Sequence, residues 1–153
     1  MLLTGKKVLI MGIRNKWSIA WGAAKSAYEN GAEILFTCSD MENVEKIKEL
    51  ISEIPNSKLY TCDAASDESI SNCLEQVKNE NGKIDGILHS IAHANTEDLR
   101  NDFIKTSRDG FAHASDISAY SLVAISRIAM EKELLNENAS IVALTYYGSE
   151  KVV

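Results

Sequence analysis

The stretch of this sequence best suited to binding a charged ligand is the run MGIRNKWSIAWG, residues 11–22, which follows three apolar residues. Gly12 can adopt backbone conformations that let a phosphate group approach closely. Ser18 is suited to cap a helix, whose first N–H groups and positive dipole end would face an anion in the turn. These residue types indicate a phosphate site near the start of the chain.

The spacing of the glycines does not match the common nucleotide motifs. A dinucleotide site is typically built on G-x-G-x-x-G and an ATP site on G-x-x-x-x-G-K-S/T, whereas this stretch contains only Gly12 and Gly22. Taken alone, the turn is interpreted equally well as a phosphate site or as a plain connection between a strand and a helix.

An acidic residue follows the second predicted strand, where a ribose could be recognised. Asp40 lies about 20 residues beyond the turn, and an acid there accepts hydrogen bonds from the ribose hydroxyls of NAD and repels the extra phosphate of NADP. Between Lys16 and Lys46 the only basic residue is Lys25, in the middle of a predicted helix. For a dinucleotide bound at this turn the pattern favours NADH over NADPH, although Asp40 could also cap the next helix.

Alternating apolar runs and helical periods predict the elements that position these residues. Strands are predicted at residues 7–11, 33–38, 58–62, 85–89 and 140–145. Helical spacing is clearest at Ile70, Cys73, Leu74 and Val77, and it recurs from Met41 to Ile51. The Asn-Gly pairs at 30–31 and 81–82 predict helix ends. A longer helix is predicted over residues 122–135.

This alternation predicts an α/β fold with a doubly wound parallel sheet that is covered on both faces. The length favours one dinucleotide-binding domain over residues 1–153. Ligands of such sheets bind beyond the carboxyl ends of the strands. The fifth strand would be an exposed apolar edge.

Composition narrows the classes of partner. A net charge of −6 argues against nucleic acid, and no apolar run reaches the length of a membrane span. The N-terminus lacks a signal-peptide core, and Cys38, Cys62 and Cys73 have no C-x-x-C spacing. We therefore expect a cytoplasmic protein with free thiols and no bound metal.

Four motifs together resemble the bacterial enoyl-acyl-carrier-protein reductases, a divergent branch of the short-chain dehydrogenases. They are the turn from Gly12 to Gly22, the sequence HSIA at 89–92, DISAYS at 116–121 and TYYG at 145–148. Each follows the expected element, and the resemblance extends from Leu3 to Val153. It implies a doubly wound Rossmann-type parallel sheet of five strands in the order 3-2-1-4-5, and a nicotinamide dinucleotide as cofactor.

The resemblance also implies a role for each residue of the cofactor site. The pyrophosphate would lie against Gly12, Ser18 and Ile19, and the ribose near Asp40. Asp63, with Ala64 beside it, would lie at the adenine, although an exposed turn aspartate is the alternative. Ser90, Ile91 and Ala92 would pass under the ribose and nicotinamide. His89 has no partner acid in its motif, so we expect it to be structural.

By the same resemblance the substrate is a trans-2-enoyl thioester of acyl carrier protein. Hydride from the nicotinamide would reduce its β-carbon. Ala92, His93, Ala94 and Leu99 would line the site, with Tyr146 near the thioester; His93 stands where an apolar residue is expected. The family implies a tetramer. Arg100, Lys105 and Arg108 could receive the carrier protein, or could be a solvated charged loop.

The tyrosine and lysine that the family uses for catalysis, spaced Tyr-(x6)-Lys, are expected on a helix after the fifth strand, and the sequence ends at Val153 before such a helix. We therefore expect this chain alone to bind dinucleotide poorly and to reduce no enoyl substrate. One alternative is an inactive nucleotide-binding or assembly module. Another is an alcohol or ketone dehydrogenase using Tyr147 and Lys151, whose Y-x-x-x-K spacing we interpret as coincidence because no helix holds the pair.

Overall fold

The computed structural model describes residues 1–39 and 43–152. The strands are β1 (Lys7–Met11), β2 (Glu33–Cys38), β3 (Lys58–Thr61), β4 (Ile84–His89) and β5 (Leu135–Ala143). The helices are α1 (Ile19–Glu29), α2 (Val44–Ile51), α3 (Asp67–Asn81), α4 (Thr96–Arg100), α5 (Arg108–Ser115) and α6 (Ser121–Glu131), with a π-helical turn at Asp116–Tyr120 before α6. None of the helices in these ranges is long and apolar enough to cross a membrane.

All five strands are parallel and lie in the order β3-β2-β1-β4-β5, as the sequence predicts. Ile10 at the centre lies opposite Phe36 of β2 and Leu88 of β4. Because the chain leaves β1 towards β2 and later returns on its other side at β4, a crevice opens between the carboxyl ends of β1 and β4. The fold class is confirmed.

The sheet is covered by helices on both faces, which divides the core into two clusters. One cluster includes Ile70, Leu74 and Val77 of α3 and Ile125 and Ile128 of α6, so the helical period of α3 is confirmed as a buried face. The other cluster includes Trp21 of α1, Phe36 of β2 and Ile47 of α2. Apolar burial on both faces is what makes these strands nearly continuous hydrophobic runs.

The two Asn-Gly pairs end helices as predicted. Gly31 has a φ of 96°, and the N–H of Ala32 donates to the carbonyl of Ala27 at 3.0 Å, which closes a Schellman motif. Gly82 follows α3 with a φ of 73°. Of the predicted second helix, Met41 lies outside the described residues, and the helix itself is Val44–Ile51.

The prediction of a helix over residues 122–135 is wrong in its last four residues. Helix α6 ends at Glu131, and Glu133 takes a φ of 50°, so that the N–H of fully buried Leu134 donates to the carbonyl of Ala129 at 2.9 Å. This is a Schellman motif without glycine, which is why its sequence carries no stop signal. Burial of Leu134 holds the turn in place.

Because Glu133 occupies the left-handed position, we expect Glu133→Gly to raise the free energy of unfolding by about 0.5–1 kcal/mol. Glycine removes the strain of a Cβ at this φ, and part of the gain is lost to the greater freedom of the unfolded chain. Urea denaturation of both proteins measures the change. An unchanged or lower stability would contradict the assignment of this turn.

The predicted strands differ from the observed ones mainly at β5. This strand begins at Leu135 instead of residue 140 and ends at Ala143 instead of 145. Leu135 pairs with Ile84, and the regular pairing with β4 resumes only at Ser140, after a bulge in which Asn138 has a φ of 64°. The alternation visible in the sequence therefore begins only after the bulge. Elsewhere β3 ends one residue earlier, and β4 starts one residue earlier, than predicted.

Strand β5 is an edge of the described sheet, and Val142 on it is 53% exposed. The prediction of an exposed apolar edge at the fifth strand agrees with this arrangement.

Candidate functional site

At Gly12 the backbone of the first turn closely approaches the backbone of the loop after β4. Its φ is 88°, and a Cβ at this position would overlap the carbonyl oxygen of Ser90 and lie 2.8 Å from the carbonyl carbon. The N–H groups of Gly12 and Ile13 both point to the carbonyl of Thr37 at 3.3 Å. The first turn is thus packed directly against the loop that follows β4, and only glycine fits there.

The rest of the turn is shaped by Asn15 and Ser18. The Asn15 side chain accepts a hydrogen bond from the N–H of Trp17 at 2.9 Å, and the Ser18 hydroxyl donates to the Asn15 carbonyl at 2.7 Å. The Ser18 oxygen also accepts from the N–H of Trp21 at 3.3 Å, which confirms Ser18 as the N-cap of α1. The hydroxyl proton is therefore used inside the turn, and the N–H groups of Ile19 and Ala20 are those left without a partner by helix geometry.

A cleft of about 490 Å³ lies beyond the carboxyl ends of the strands. Its volume is within the range of small-molecule sites. Seven residues predicted from the sequence line it, namely Gly12, Asp63, Ala64, Ser90, Ile91, Ala92 and His93. It is also lined by residues that the sequence analysis did not assign to the site, among them Arg14, Ser39, Asn43, His113 and Ile117.

Asp63 shapes the wall of the cleft below β3. One oxygen of its carboxylate accepts from the N–H of Ala65 at 2.9 Å, and its own N–H donates to the Ser69 hydroxyl at 2.9 Å. These bonds fold the chain into a turn that presents Ala64 to the cleft. Part of the hydrogen-bonding capacity of Asp63 therefore serves the turn.

Two histidines meet at the other end of the cleft. The Nδ1 of His93 and the Nε2 of His113 are 2.9 Å apart, and the rings are perpendicular. The backbone of His93 is held by the Ser118 hydroxyl, which accepts from the His93 N–H at 3.1 Å and lies 3.2 Å from its carbonyl oxygen. No sequence pattern pointed to His113, because it belongs to α5 and shares no motif or period with His93.

His89 is buried below the cleft, where it contacts Ser121. Its Nε2 lies 2.7 Å from the Ser121 hydroxyl oxygen, and that hydroxyl donates to the carbonyl of Ile117 at 2.7 Å. Since the hydroxyl has one hydrogen, this pattern assigns the Nε2–H tautomer of His89. The contact ties the end of β4 to the start of α6, which supports a structural role for His89.

Burial lowers the pKa of His89 below its ordinary value of 6.5. The unfolded chain then binds more protons than the folded one as the pH falls below about 6.5, so we expect the free energy of unfolding to decrease there. Below the pKa that His89 has in the folded chain, this histidine is protonated in both the folded and the unfolded state, and the decrease in the free energy of unfolding is complete. Urea titrations between pH 7.5 and 5, with imidazole NMR to follow His89, measure this. A His89 midpoint at or above 6.5 would contradict it.

A second, open groove of about 570 Å³ adjoins the cleft at His93. Its walls are mostly apolar, and include Ala92, Ala94, Leu99, Phe111 and Ala114. The loop beneath is anchored by Asp98, whose carboxylate accepts from the N–H of Ser107 at 2.8 Å and from its hydroxyl at 3.1 Å. These bonds lower the pKa of Asp98. Four of the five residues predicted for the substrate site border this groove, namely Ala92, His93, Ala94 and Leu99.

Not all predicted residues are brought to these cavities. Ser18 and Ile19 stand beside the cleft without lining it, and Tyr146 is 69% exposed and lines neither cavity. Asp40 lies outside the described residues. Tyr147 and Lys151 belong to a short 3-10 turn and the residues after it, with the Lys151 ammonium 5.6 Å from the Tyr147 ring centroid.

Comparison with known proteins gives consistent results. The family model described as Enoyl-(Acyl carrier protein) reductase matches residues 12–153. The chain is 44% identical over 153 residues to enoyl-(acyl-carrier-protein) reductase (NADH) FabI of Enterococcus faecalis, covering 100% of this chain and 60% of that protein. It is 45% identical to enoyl-(acyl-carrier-protein) reductase (NADPH) FabI of Staphylococcus aureus, and this match covers 99% of this chain and 59% of that protein.

Solved structures agree with the sequence comparisons. The crystal structure of the Bacillus cereus enoyl-acyl carrier protein reductase with NADP+ and indole naphthyridinone superposes with a TM-score of 0.93 at 42% identity, over 99% of this chain and 59% of that one. The chain thus spans about three fifths of the length of the relatives it matches. The names of these relatives include both NADH and NADPH.

Proposed function

The chain belongs to the enoyl-(acyl carrier protein) reductase family, and we propose that its cleft binds the nicotinamide dinucleotide with which an enoyl thioester is reduced. The observation that carries this proposal is the contact between Gly12 and Ser90, because it brings the first turn and the loop after β4 together at the switch point of the sheet. Dinucleotides bind at that point in sheets of this kind.

The described residues fit such a cofactor from end to end. The first N–H groups of α1 face the turn and suit the pyrophosphate. Asp63 and Ala64 border the end of the cleft next to β3, where the adenine would lie, and Ser90 to Ala92 border the other end, where the ribose and nicotinamide would lie. NADH is the cofactor we propose first, with Asp40 as its ribose ligand.

When bound, the nicotinamide supplies a hydride for the β-carbon of a trans-2-enoyl thioester. The role of Ser90, Ile91 and Ala92 is to support the ring at the mouth of the apolar groove. Ala94 and Leu99 would bind the acyl chain, and His93 and His113 would place a polar pair where groove and cleft meet. Tyr146 remains a proposed contact of the thioester end.

The partners and surroundings of the chain follow as proposals. The substrate would be presented by acyl carrier protein, and neither nucleic acid nor membrane is proposed as a partner. A homo-oligomer, a tetramer in the family, is supported by exposed apolar side chains around α5 and α6, including Phe111, Tyr120, Val123 and Met130. The three buried cysteines form no disulfide within the described residues, which suits a reducing cytoplasm.

Two other functions are less well supported. An alcohol or ketone dehydrogenase would need Tyr147 and Lys151 in the cleft, and both stand in or after an exposed turn that does not line it. A non-catalytic nucleotide-binding or assembly module remains a second candidate, because β5 exposes an apolar edge that could pair with another strand.

Ligand-observed NMR with a trans-2-enoyl pantetheine thioester tests the proposed function. We expect saturation transfer to the thioester in the presence of NAD+, and a much weaker signal without it, since the nicotinamide completes the floor of the groove. The oxidised cofactor prevents turnover during the measurement. A saturated alcohol of equal length serves as the control ligand. Saturation transfer to the thioester that is equally strong with and without NAD+ would contradict the proposal and favour the non-catalytic module.

A further inference from the structure

The carboxylate of Asp98 joins the short helix α4 to the start of α5. One oxygen accepts from the N–H of Ser107 at 2.8 Å, and the other accepts from the Ser107 hydroxyl at 3.1 Å. The Ser107 oxygen in turn caps α5, because it accepts from the N–H of Gly110 at 3.0 Å. Both oxygens of Asp98 therefore hold the N-terminus of α5, and we call Asp98, Ser107 and Gly110 the carboxylate bridge.

Gly110 provides the space that this carboxylate occupies. It is buried in the first turn of α5, and a Cβ there would overlap the Oδ2 of Asp98 and lie 2.7 Å from the Ser107 hydroxyl oxygen. Glycine weakens a helix relative to alanine, so a glycine inside α5 needs a reason. The close packing of the carboxylate against the helix supplies that reason.

The two large apolar side chains of the groove each follow a member of the carboxylate bridge along the chain. Leu99 comes directly after Asp98 on α4, Phe111 comes directly after Gly110 on α5, and both line the groove. They are 73% and 63% exposed, and neither belongs to the apolar core clusters of the described residues. Since burial does not hold these side chains in place, it is the hydrogen bonds of the carboxylate bridge that join their helices.

We propose that Asp98 is a positioning residue for the acyl chain of the substrate, because its carboxylate sets the separation of Leu99 and Phe111 across the groove. The inference rests on the proposed function and deepens it, since it names what fixes the width of the acyl site. The carboxylate itself acts through the two helices, and contact with the acyl chain is left to the apolar side chains beside it.

The position of the two side chains determines which part of the substrate they contact. Ala92 and His93 line both the cleft and the groove, whereas Leu99 and Phe111 line the groove and not the cleft. The reacting carbons would lie at the shared end, next to the nicotinamide, and the distal carbons between Leu99 and Phe111. Loss of the carboxylate bridge should therefore weaken the binding of long acyl chains and leave short ones unaffected.

Titrations with trans-2-butenoyl and trans-2-decenoyl pantetheine thioesters in the presence of NAD+, followed by saturation transfer, test this inference. In the wild-type chain we expect the ten-carbon thioester to bind at least about tenfold more tightly than the four-carbon one, since it buries more apolar surface. Asp98→Ala should reduce this ratio to about threefold or less. The affinities for the four-carbon thioester and for NAD+ should change by less than about twofold.

Two further variants separate the carboxylate bridge from the loss of a charge. Gly110→Ala displaces the carboxylate and leaves Asp98 in the chain, so it should lower the ratio as well. Asp102→Ala is the matched control, because it removes the same side chain from the same loop. The Asp102 carboxylate forms an exposed ion pair with Lys105 at 3.0 Å, and its loss should leave the ratio unchanged. Far-ultraviolet circular dichroism checks that each variant is folded.

The outcomes distinguish this inference from the proposed function. An unchanged ratio in Asp98→Ala, or equal losses for both thioesters and NAD+, would show a structural role alone and overturn the inference. A wild type that binds both thioesters equally well would also overturn it and leave the proposed function standing. A wild type that binds neither thioester in the presence of NAD+ would overturn both.

Discussion

Gly12→Ala removes dinucleotide binding and lowers the free energy of unfolding by about 2–4 kcal/mol, through left-handed strain and overpacking together. The added Cβ meets the carbonyl of Ser90, which belongs to the backbone and cannot rotate away. Ser90 is itself held by β1, since its N–H donates to the carbonyl of Met11 at 3.1 Å. The two walls of the cleft must therefore separate, and urea denaturation with an NADH titration measures both effects.

Gly22→Ala is the matched control for this substitution. Gly22 lies within α1, and a Cβ there meets no atom within 4 Å. The same chemical change should then stabilise the chain by about 0.5–1 kcal/mol, because alanine is the better helix former, and leave NADH binding intact. If both variants bound NADH equally well, Gly12 would not be the residue that closes the cleft.

Phe36→Ala should lower the free energy of unfolding by about 3–5 kcal/mol. Phe36 is fully buried at the centre of β2 and contacts the ring of Trp21 at a centroid distance of 6.2 Å. Trp21 stands in the first turn of α1, just after the Ser18 cap. A cavity below it frees the N-terminus of α1, so we also expect weaker NADH binding in the fraction of protein that still folds.

Phe103→Ala controls for the change of residue type. Phe103 is 84% exposed in the loop between α4 and α5. Its removal should alter stability by less than about 0.5 kcal/mol, as for most surface substitutions. Denaturant midpoints and the near-ultraviolet circular dichroism of Trp21 report both variants. A loss of less than about 1 kcal/mol in Phe36→Ala would contradict the packing of α1 on the sheet.

The sequence was sufficient to predict the strands and the buried face of α3, because both repeat with clear periods, and the sheet order followed from the resemblance to the family. It was not sufficient at the end of α6, where Glu133 adopts a conformation usually given to glycine. Propensity and turn composition indicated that the helix continues there. The buried side chain of Leu134, a tertiary contact, decided otherwise.

The residues of the candidate site could likewise be predicted from the sequence only in part. Residues that follow strands directly, such as Gly12, Asp63 and Ser90, were found because parallel strands bring their carboxyl ends together. Arg14 and His113 were missed as site residues, since only the folded chain shows which side chains reach a shared cavity. The functional roles predicted for Gly12, Asp63 and Ser90 stay predictions, as do those of Ser18, Asp40 and Tyr146.

The dinucleotide site is tested most directly by titrating the isotopically labelled chain with NADH and following its amide chemical shifts. Shift changes are informative even for the weak binding we expect of this chain alone. We expect saturable changes at Gly12, Ala64, Ser90 and Ala92, on both walls of the cleft, and their loss in Gly12→Ala. No saturable change, or changes confined to the far ends of the strands, would contradict the claim that this cleft is a dinucleotide site.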